Sequence, residues 1–262
     1  MEKPHPMWYK KTLEQCRAIM TQSTQPLTRP AILDLKKLNQ KFEQTHPRDI
    51  LAWCVINIPD RLVQASAFNV DDMLITDLLY RELKPAHPVP VLFLDTLHHF
   101  PQTLDLVAKA KAIYNLNLKI YRTPEVNSRE AFAKKHGRAL WEKNIEKFHH
   151  LTKVEPLQRA LAELEAIAWI TGRRRDQATS RSDMPIFELD NQQRLKVNPL
   201  ANWTRKETWA YVFEHDVIYN PLHDHGYASI GDEPITTPIV EGEDERAGRW
   251  RGTDKTECGI HI

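Results

Sequence analysis

Apolar positions follow a helical period at the start of the chain and a strand-and-helix alternation through its middle. Ile32, Leu35, Leu38 and Phe42 recur at helical spacing, so 31–44 reads as an amphipathic helix. Pro47 opens a second helix through Ile50, Leu51, Trp53 and Cys54. Short apolar runs then predict strands at Leu62–Phe68, Pro88–Leu94, Leu118–Tyr121 and Ala168–Thr171. Helices are predicted over Asp71–Glu82, Pro101–Tyr114 and Glu155–Glu165, and from a Ser128 cap to about His136, with Gly137 as its stop signal. Strands separated by helices predict an α/β fold, a parallel sheet with helices on both faces. Ligands of such sheets bind outside the carboxyl ends of the strands, which draws attention to Ser66, Asp95 and the segment after Thr171. Phe187–Asp190 and Leu195–Asn198 read as a hairpin around Asn191-Gln192-Gln193, and Thr204 caps a helix to about His215.

The two ends are less regular. Residues 1–30 carry Pro4, Pro6, Pro26 and Pro30 and read as a loosely packed extension with one short helix around Lys11–Thr21. From Pro221 onward the chain is mostly loop, punctuated by Gly226, Gly231, Pro234, Pro238, Gly242, Gly248 and Gly252, and loops of that length are commonly functional or disordered. The expected organisation is an extension and helix over 1–45, an α/β domain over 46–220, and a loop-rich segment over 221–262.

Composition narrows the function. Among 262 residues, 36 Lys and Arg balance 35 Asp and Glu, a formal charge of +1. That argues against a general nucleic-acid binder but allows a local cationic pocket. Cysteines stand only at 16, 54 and 258, which makes neither a disulfide framework nor a Cys-x-x-Cys metal site, so a reducing, cytoplasmic setting is expected. No signal-peptide pattern opens the chain and no apolar run is long enough to span a bilayer. The adjacent pairs His98-His99 and His149-His150 cannot both aim at one metal from a helix or a strand, so packing or surface roles are expected. Cys54, between Trp53 and Val55, reads as a packed small hydrophobe.

Cys258 differs. Lys255, Glu257 and His261 surround it, and Arg246, Arg249 and Arg251 lie just upstream, a setting in which a thiol can meet solvent and react. Nearby cations favour the nucleophilic thiolate while Glu257 and Asp254 oppose it, and the alternative is an incidental surface thiol. The densest cationic stretch, Arg173, Arg174, Arg175 and Arg181, directly follows a predicted strand, where guanidinium forks suit phosphate oxygens; the alternative is a solvated charged loop. In the turn after the first strand, Ser66 offers a hydroxyl and Asn69 must supply any left-handed residue, while Asp71 and Asp72 would repel a phosphate brought close. Asp95-Thr96 either fixes a ribose or base or caps the next turn. Lys153, Glu155 and Arg159 flank a helix start and fit surface ion pairs as well as a substrate contact.

Together these segments resemble the phosphoadenylyl-sulfate (PAPS) reductase family. The resemblance is carried by Lys255-Thr256-Glu257-Cys258-Gly259-Ile260-His261, by 241–250 with Arg246, by Tyr227-Ala228-Ser229-Ile230-Gly231-Asp232, by Lys153-Val154-Glu155-Pro156-Leu157-Gln158-Arg159, by Asp95-Thr96, and by the series Arg174, Arg175, Gln177 and Arg181. It runs from about residue 45 to the end and implies the adenine nucleotide α-hydrolase-like fold, a relative of the Rossmann fold. It implies that Cys258 attacks the sulfonyl sulfur of PAPS, that adenosine 3′,5′-bisphosphate leaves, and that reduced thioredoxin or glutaredoxin releases sulfite from the resulting S-sulfocysteine. Ser66, Asp95, Lys153, Arg174, Arg175, Gln177, Arg181, Arg246, Lys255 and His261 are the implied substrate contacts. Related adenylyl-sulfate (APS) reductases hold a four-iron cluster on a Cys-Cys pair and a later Cys-x-x-Cys. The corresponding positions here are Phe148-His149, Asp232 and Ile235, so no iron–sulfur cluster and no bound metal are expected. A homodimer is common in the family, and neither nucleic acid nor membrane is an expected partner. The alternatives are APS reduction without a cluster and a non-catalytic adenine-nucleotide binder. An ATP-pyrophosphatase is a further one, but Ala65–Val70 lacks the Ser-Gly-Gly loop of that class.

Overall fold

The structure is a computed structural model in which residues 33–253, 255 and 257–261 are described. The helix expected around Lys11–Thr21 lies outside them. Among the described residues two helices come first, α1 (Leu35–Phe42) and α2 (Pro47–Asn57). Asp34 caps α1 by accepting from the Lys37 N–H, and Pro47 stands at the first turn of α2, where its missing N–H costs nothing. Asn39 of α1 bonds Phe187 in both directions, at 2.8 and 2.9 Å, and Phe42 packs edge-on against the Phe187 ring at 5.4 Å. Helix α1 is thereby fastened to Phe187, at the edge of the sheet.

The sheet has six strands: β1 (Leu62–Ala65), β2 (Val91–Leu94), β3 (Leu118–Tyr121), β4 (Ala168–Ile170), β5 (Phe187–Leu189) and β6 (Leu195–Val197). Their order is β3-β2-β1-β4-β6-β5, parallel except for the hairpin partner β5. Between the strands lie α3 (Val70–Asp77), which continues as a wider turn to Leu83, α4 (Pro101–Tyr114), α5 (Arg129–His136), the short α6 (Leu140–Lys143) and α7 (Ile145–His149), and α8 (Glu155–Glu163). Helix α9 (Arg205–Glu214) follows β6 and opens on a reciprocal cap between Thr204 and Glu207.

Alternation along each strand sets the two faces. Leu62, Val91, Phe93, Ala168, Ile170, Leu195 and Val197 join the larger core with α1, α2, α3 and α4, while Val63, Leu92 and Trp169 meet Leu157, Ala160 and Leu161 of α8. The sheet is therefore covered on both sides, as expected. The strands are shorter than the apolar runs that predicted them. Residues 140–154 form helical turns that the sequence did not signal, because α6 and α7 span four and five residues, too few for a period to show. Cys54 is fully buried, and burial pushes its thiol pKa up.

Candidate active site

The chain enters the sheet at β1, runs outward through β2 and β3, and returns to β4 on the other side of β1. The loops leaving β1 and β4 diverge at that switch point and open the crevice in which such folds bind ligands. A cavity of about 160 Å³ lies there, lined among others by Ser66, Asn69, Asp72, Lys153, Arg173, Gln177, Arg181, Arg246, Arg249, Glu257, Cys258 and His261.

The β1 loop is shaped by its own side chains. Ser66 Oγ accepts the Phe68 N–H at 3.1 Å, and Phe68, not Asn69, takes the left-handed conformation, at φ 56°. Asn69 instead clasps Ile230, donating to its carbonyl and accepting from its N–H, both at 3.0 Å. That pins the 227–232 segment over the crevice. Asp71 and Asp72 are already engaged. Asp72 accepts the Ala67 N–H at 2.8 Å, and burial pushes its pKa up to about 7. The close approach of Gly172 is what leaves it room, since a β-carbon there would stand 2.5 Å from its Oδ1.

The arginines after β4 divide. Arg174 is wholly buried and spent on carboxylates: Asp71 at 2.7 Å, Glu245 bidentately at 2.7 and 2.9 Å, and Asp176. It does not line the cavity but ties the β4 loop to the start of α3 and to the 245 loop. Arg175 points the other way, to Glu43 at 2.6 Å, the Met184 carbonyl and Asn202. Arg173 reaches the cavity but is held by Glu188 and Asn198. Arg181 also lines it, and its guanidinium takes both Glu257 oxygens, at 2.6 and 2.8 Å, while Gln177 accepts from its remaining nitrogen. Gln177 is itself fixed by Asp71 at 2.8 Å.

Three further expectations resolve similarly. Asp95 caps the next turn, accepting from the Leu97 N–H at 2.9 Å, and pairs with Arg122 at 2.7 Å outside the cavity. Lys255 pairs with Glu146 on the outer side. Lys153 does line the cavity, its ammonium 2.6 Å from the fully buried Asp232, whose other oxygen accepts from Thr96 at 2.6 Å. Those partners hold the Asp232 carboxyl well below the usual carboxylate range despite its burial.

The tail is docked rather than loose. Trp250 is buried, Ile260 packs on the α8-side core, and the His261 ring stacks on Trp169 at 6.0 Å and 5° between planes. Burial, with Arg173, Lys196, Arg181 and Arg246 around it, pushes the His261 pKa well down, so its imidazole is neutral at neutral pH. Cys258 is half-buried in the cavity wall. A thiolate there interacts favourably with the guanidiniums of Arg246 and Arg249. Arg249 and Arg173 also line the cavity; the sequence reading noted both as nearby cations but did not count them among the implied substrate contacts. A signal for Arg249 existed in its position nine residues before Cys258 and in the glycine at 231, against which its guanidinium lies.

The phosphoadenosine phosphosulfate reductase domain family matches residues 61–238. The chain belongs to this family. The family match ends before Cys258, and the curated relatives align over longer stretches. A phosphoadenosine phosphosulfate reductase of Emericella nidulans is 47% identical over 229 residues, covering 87% of this chain and 74% of the relative. An adenosine 5′-phosphosulfate reductase of Halalkalibacterium halodurans is 38% identical over 231 residues, covering 87% and 97%. Among solved structures, a phosphoadenylyl-sulfate reductase of Candida auris in a phosphate complex superposes with a TM-score of 0.70 at 43% identity, covering 78% of this chain and 96% of that one. The positions that the resemblance matches to cluster ligands of related APS reductases are otherwise engaged. Phe148 and Ile235 share an apolar cluster with Val126, Phe132 and Leu140, and Asp232 is engaged by Lys153. Among the described residues, no group of three or more His, Cys, Asp or Glu side chains is arranged to hold a metal ion. No helix among them is long and apolar enough to cross a membrane.

Proposed function

We propose that this protein reduces PAPS to sulfite and adenosine 3′,5′-bisphosphate. The observation that carries the reading is the meeting of Cys258 with Lys153, Arg181, Arg246 and Arg249 in one cavity at the sheet's switch point. The Cys258 thiolate attacks the sulfonyl sulfur, the bond from that sulfur to the bridging oxygen breaks, and the phosphate of the bisphosphate nucleotide takes the electron pair. An S-sulfocysteine remains. A thiolate of reduced thioredoxin or glutaredoxin then attacks the Cys258 sulfur, sulfite leaves, and the donor's second thiol closes its disulfide, releasing Cys258. The two electrons that take sulfur from sulfate to sulfite thus come from the dithiol. The cations bring a thiolate against an anion, and neutral His261 contributes a polar wall without further charge.

Cys258, Ser66, Lys153, Gln177, Arg181, Arg246 and His261 act from the cavity wall, joined by Arg173 and Arg249. Arg174 acts at one remove, by holding the loop. The protein works as a cytoplasmic enzyme, as a homodimer, without an iron–sulfur cluster or other bound cofactor. The cysteines at 16, 54 and 258 offer neither a Cys-Cys pair nor a Cys-x-x-Cys. The second reading is APS reduction, favoured by relatives named for that activity at 38% identity. Sulfite release from PAPS and from APS with reduced thioredoxin decides between them: a kcat/KM at least ten times higher for PAPS is expected, and equal values remove the assignment. Cys258→Ser abolishes sulfite formation and leaves nucleotide binding within a few-fold. Mixing with PAPS alone places a sulfonate adduct on Cys258, seen by mass spectrometry. Turnover retained by Cys258→Ser excludes the mechanism.

A further inference from the structure

Each arginine of the β4 loop has a carboxylate partner, and the partners differ in where they are anchored. Arg173 is paired with Glu188 of β5, Arg174 with Asp71 of α3, and Arg175 with Glu43 just past α1. Those carboxylates belong to the body of the fold. Arg181 is paired with Glu257, which comes from the tail and precedes Cys258. Glu257 accepts from Arg181 Nε at 2.6 Å and Nη2 at 2.8 Å, and its second oxygen also accepts from Arg246 at 3.2 Å. Two parallel bonds into a guanidinium fork, with a second guanidinium on one oxygen, is the arrangement a phosphate or sulfate would adopt. Arg181 is rigid in it, because Gln177 holds its third nitrogen and Asp71 holds Gln177.

We infer that Glu257 is an internal stand-in for the substrate's anionic group: it occupies Arg181 and Arg246 until the nucleotide displaces it, and its release repositions the adjoining Cys258. This rests on the nucleotide reading of the cavity given above. With the nucleotide bound, its charge replaces that of Glu257 on Arg181 and Arg246; in the open state between the two the arginines lack that counter-charge, which keeps the open state a minority. In the resting state Ile260 and His261 anchor the tail beyond Cys258 on the α8-side core and on Trp169, so the release of Glu257 needs to free only the segment between. The thiol therefore moves on a short tether and is not cast off. The exchange also sets affinity, since a site open one-tenth of the time binds its ligand about ten-fold more weakly than the same site always open.

The test is Glu257→Gln in the full chain, which keeps shape and removes charge. Affinity for adenosine 3′,5′-bisphosphate is measured by calorimetry and is expected to rise about ten-fold, with KM for PAPS falling in parallel. Cys258 alkylation by iodoacetamide is followed against pH, so that the plateau rate, where the thiol is fully ionised, reports access alone. The plateau is expected to rise several-fold in the variant, and inorganic sulfate is expected to raise the wild-type plateau toward that of the variant. Unchanged or weaker nucleotide binding with an unchanged plateau overturns the proposal and assigns Glu257 a merely structural role. If the wild type makes no sulfite from PAPS, the reaction assigned above falls, while the sulfate-dependent plateau still decides the exchange.

Discussion

Gly231→Ala isolates the contribution of Arg249. Gly231 lies outside the left-handed region, so alanine meets no backbone obstacle there. A β-carbon at 231, however, would stand 2.3, 2.4 and 2.7 Å from three atoms of the Arg249 guanidinium. The obstacle is the end of a flexible side chain, so the side chain moves and the fold remains. Arg249 then gives up its bonds to Ser229 Oγ and the Ile230 carbonyl, at 3.2 and 3.3 Å, and its place over Trp250 at 4.7 Å. If its guanidinium holds a substrate oxygen, the loss is that of one charge-assisted hydrogen bond, about 1.5–3 kcal/mol. That corresponds to roughly a ten- to 150-fold fall in kcat/KM. Stability changes by less than about 1 kcal/mol, a melting shift below about 4 °C. The assay is sulfite release from PAPS with reduced thioredoxin, beside thermal unfolding of the same samples. Gly231→Ala combined with Arg249→Ala should be no slower than Arg249→Ala alone, since one effect acts through the other. A single variant with more than half the wild-type kcat/KM would refute the reasoning, as would a double variant ten-fold slower than Arg249→Ala.

Three other substitutions probe the groups around the cavity. Asp72 has a raised pKa, so the folded state holds its proton between the unfolded value of about 3.9 and about 7, and its contribution to stability falls as pH rises through that window. Asp72→Asn should therefore gain on the wild type from pH 5 to pH 8 by up to a few kcal/mol in urea unfolding; parallel pH profiles would contradict this. Asp232→Asn strands the Lys153 ammonium and should cost about 3–5 kcal/mol at pH 7. Because the Asp232 pKa is depressed, that loss is complete above the unfolded value and shrinks as pH falls below it; equal stability at pH 7 would disprove the pairing. Arg175→Ala breaks a half-exposed pair with Glu43 and should cost about 0.2–1 kcal/mol with kcat/KM within two-fold of wild type. A large fall in kcat/KM with unchanged stability would bring Arg175 back to the substrate.

What the sequence revealed and what it hid follow from the kind of force involved. The strands and the helices Pro101–Tyr114, Arg129–His136 and Arg205–Glu214 were legible because burial of one face imposes a period and caps mark its ends. That Ser66 and Arg181 would lie at the crevice was legible because strand ends in a parallel sheet point to the ligand edge. Arg174 and Arg175 sit in the same stretch as Arg181, yet their partners Asp71, Glu245 and Glu43 lie far away in the chain. Ion pairing carries no period, so adjacent arginines could not be sorted before the fold was known. The tail read as mobile because its glycines and charges match those of a loose loop, while the contacts that dock it, Ile260 on Leu157 and its neighbours and His261 on Trp169, are long-range.

The sorting of the arginines bears on how the site discriminates. A guanidinium already compensated by a carboxylate of the body cannot take an anion without stranding that carboxylate, which removes Arg173, Arg174 and Arg175 as primary acceptors. Arg181 and Arg246 have a counter-charge that the tail can withdraw, and among the described residues Arg249 has no carboxylate partner. The cavity cations without an anchored counter-charge include Arg246 and Arg249, whose guanidiniums would interact favourably with a Cys258 thiolate. On the exchange proposed above, an approaching sulfonate meets Arg249 without hindrance and must displace Glu257 to reach Arg181 and Arg246. If that exchange holds, neutral adenine compounds lack the charge to displace Glu257, and the pair selects for the anionic end of the ligand.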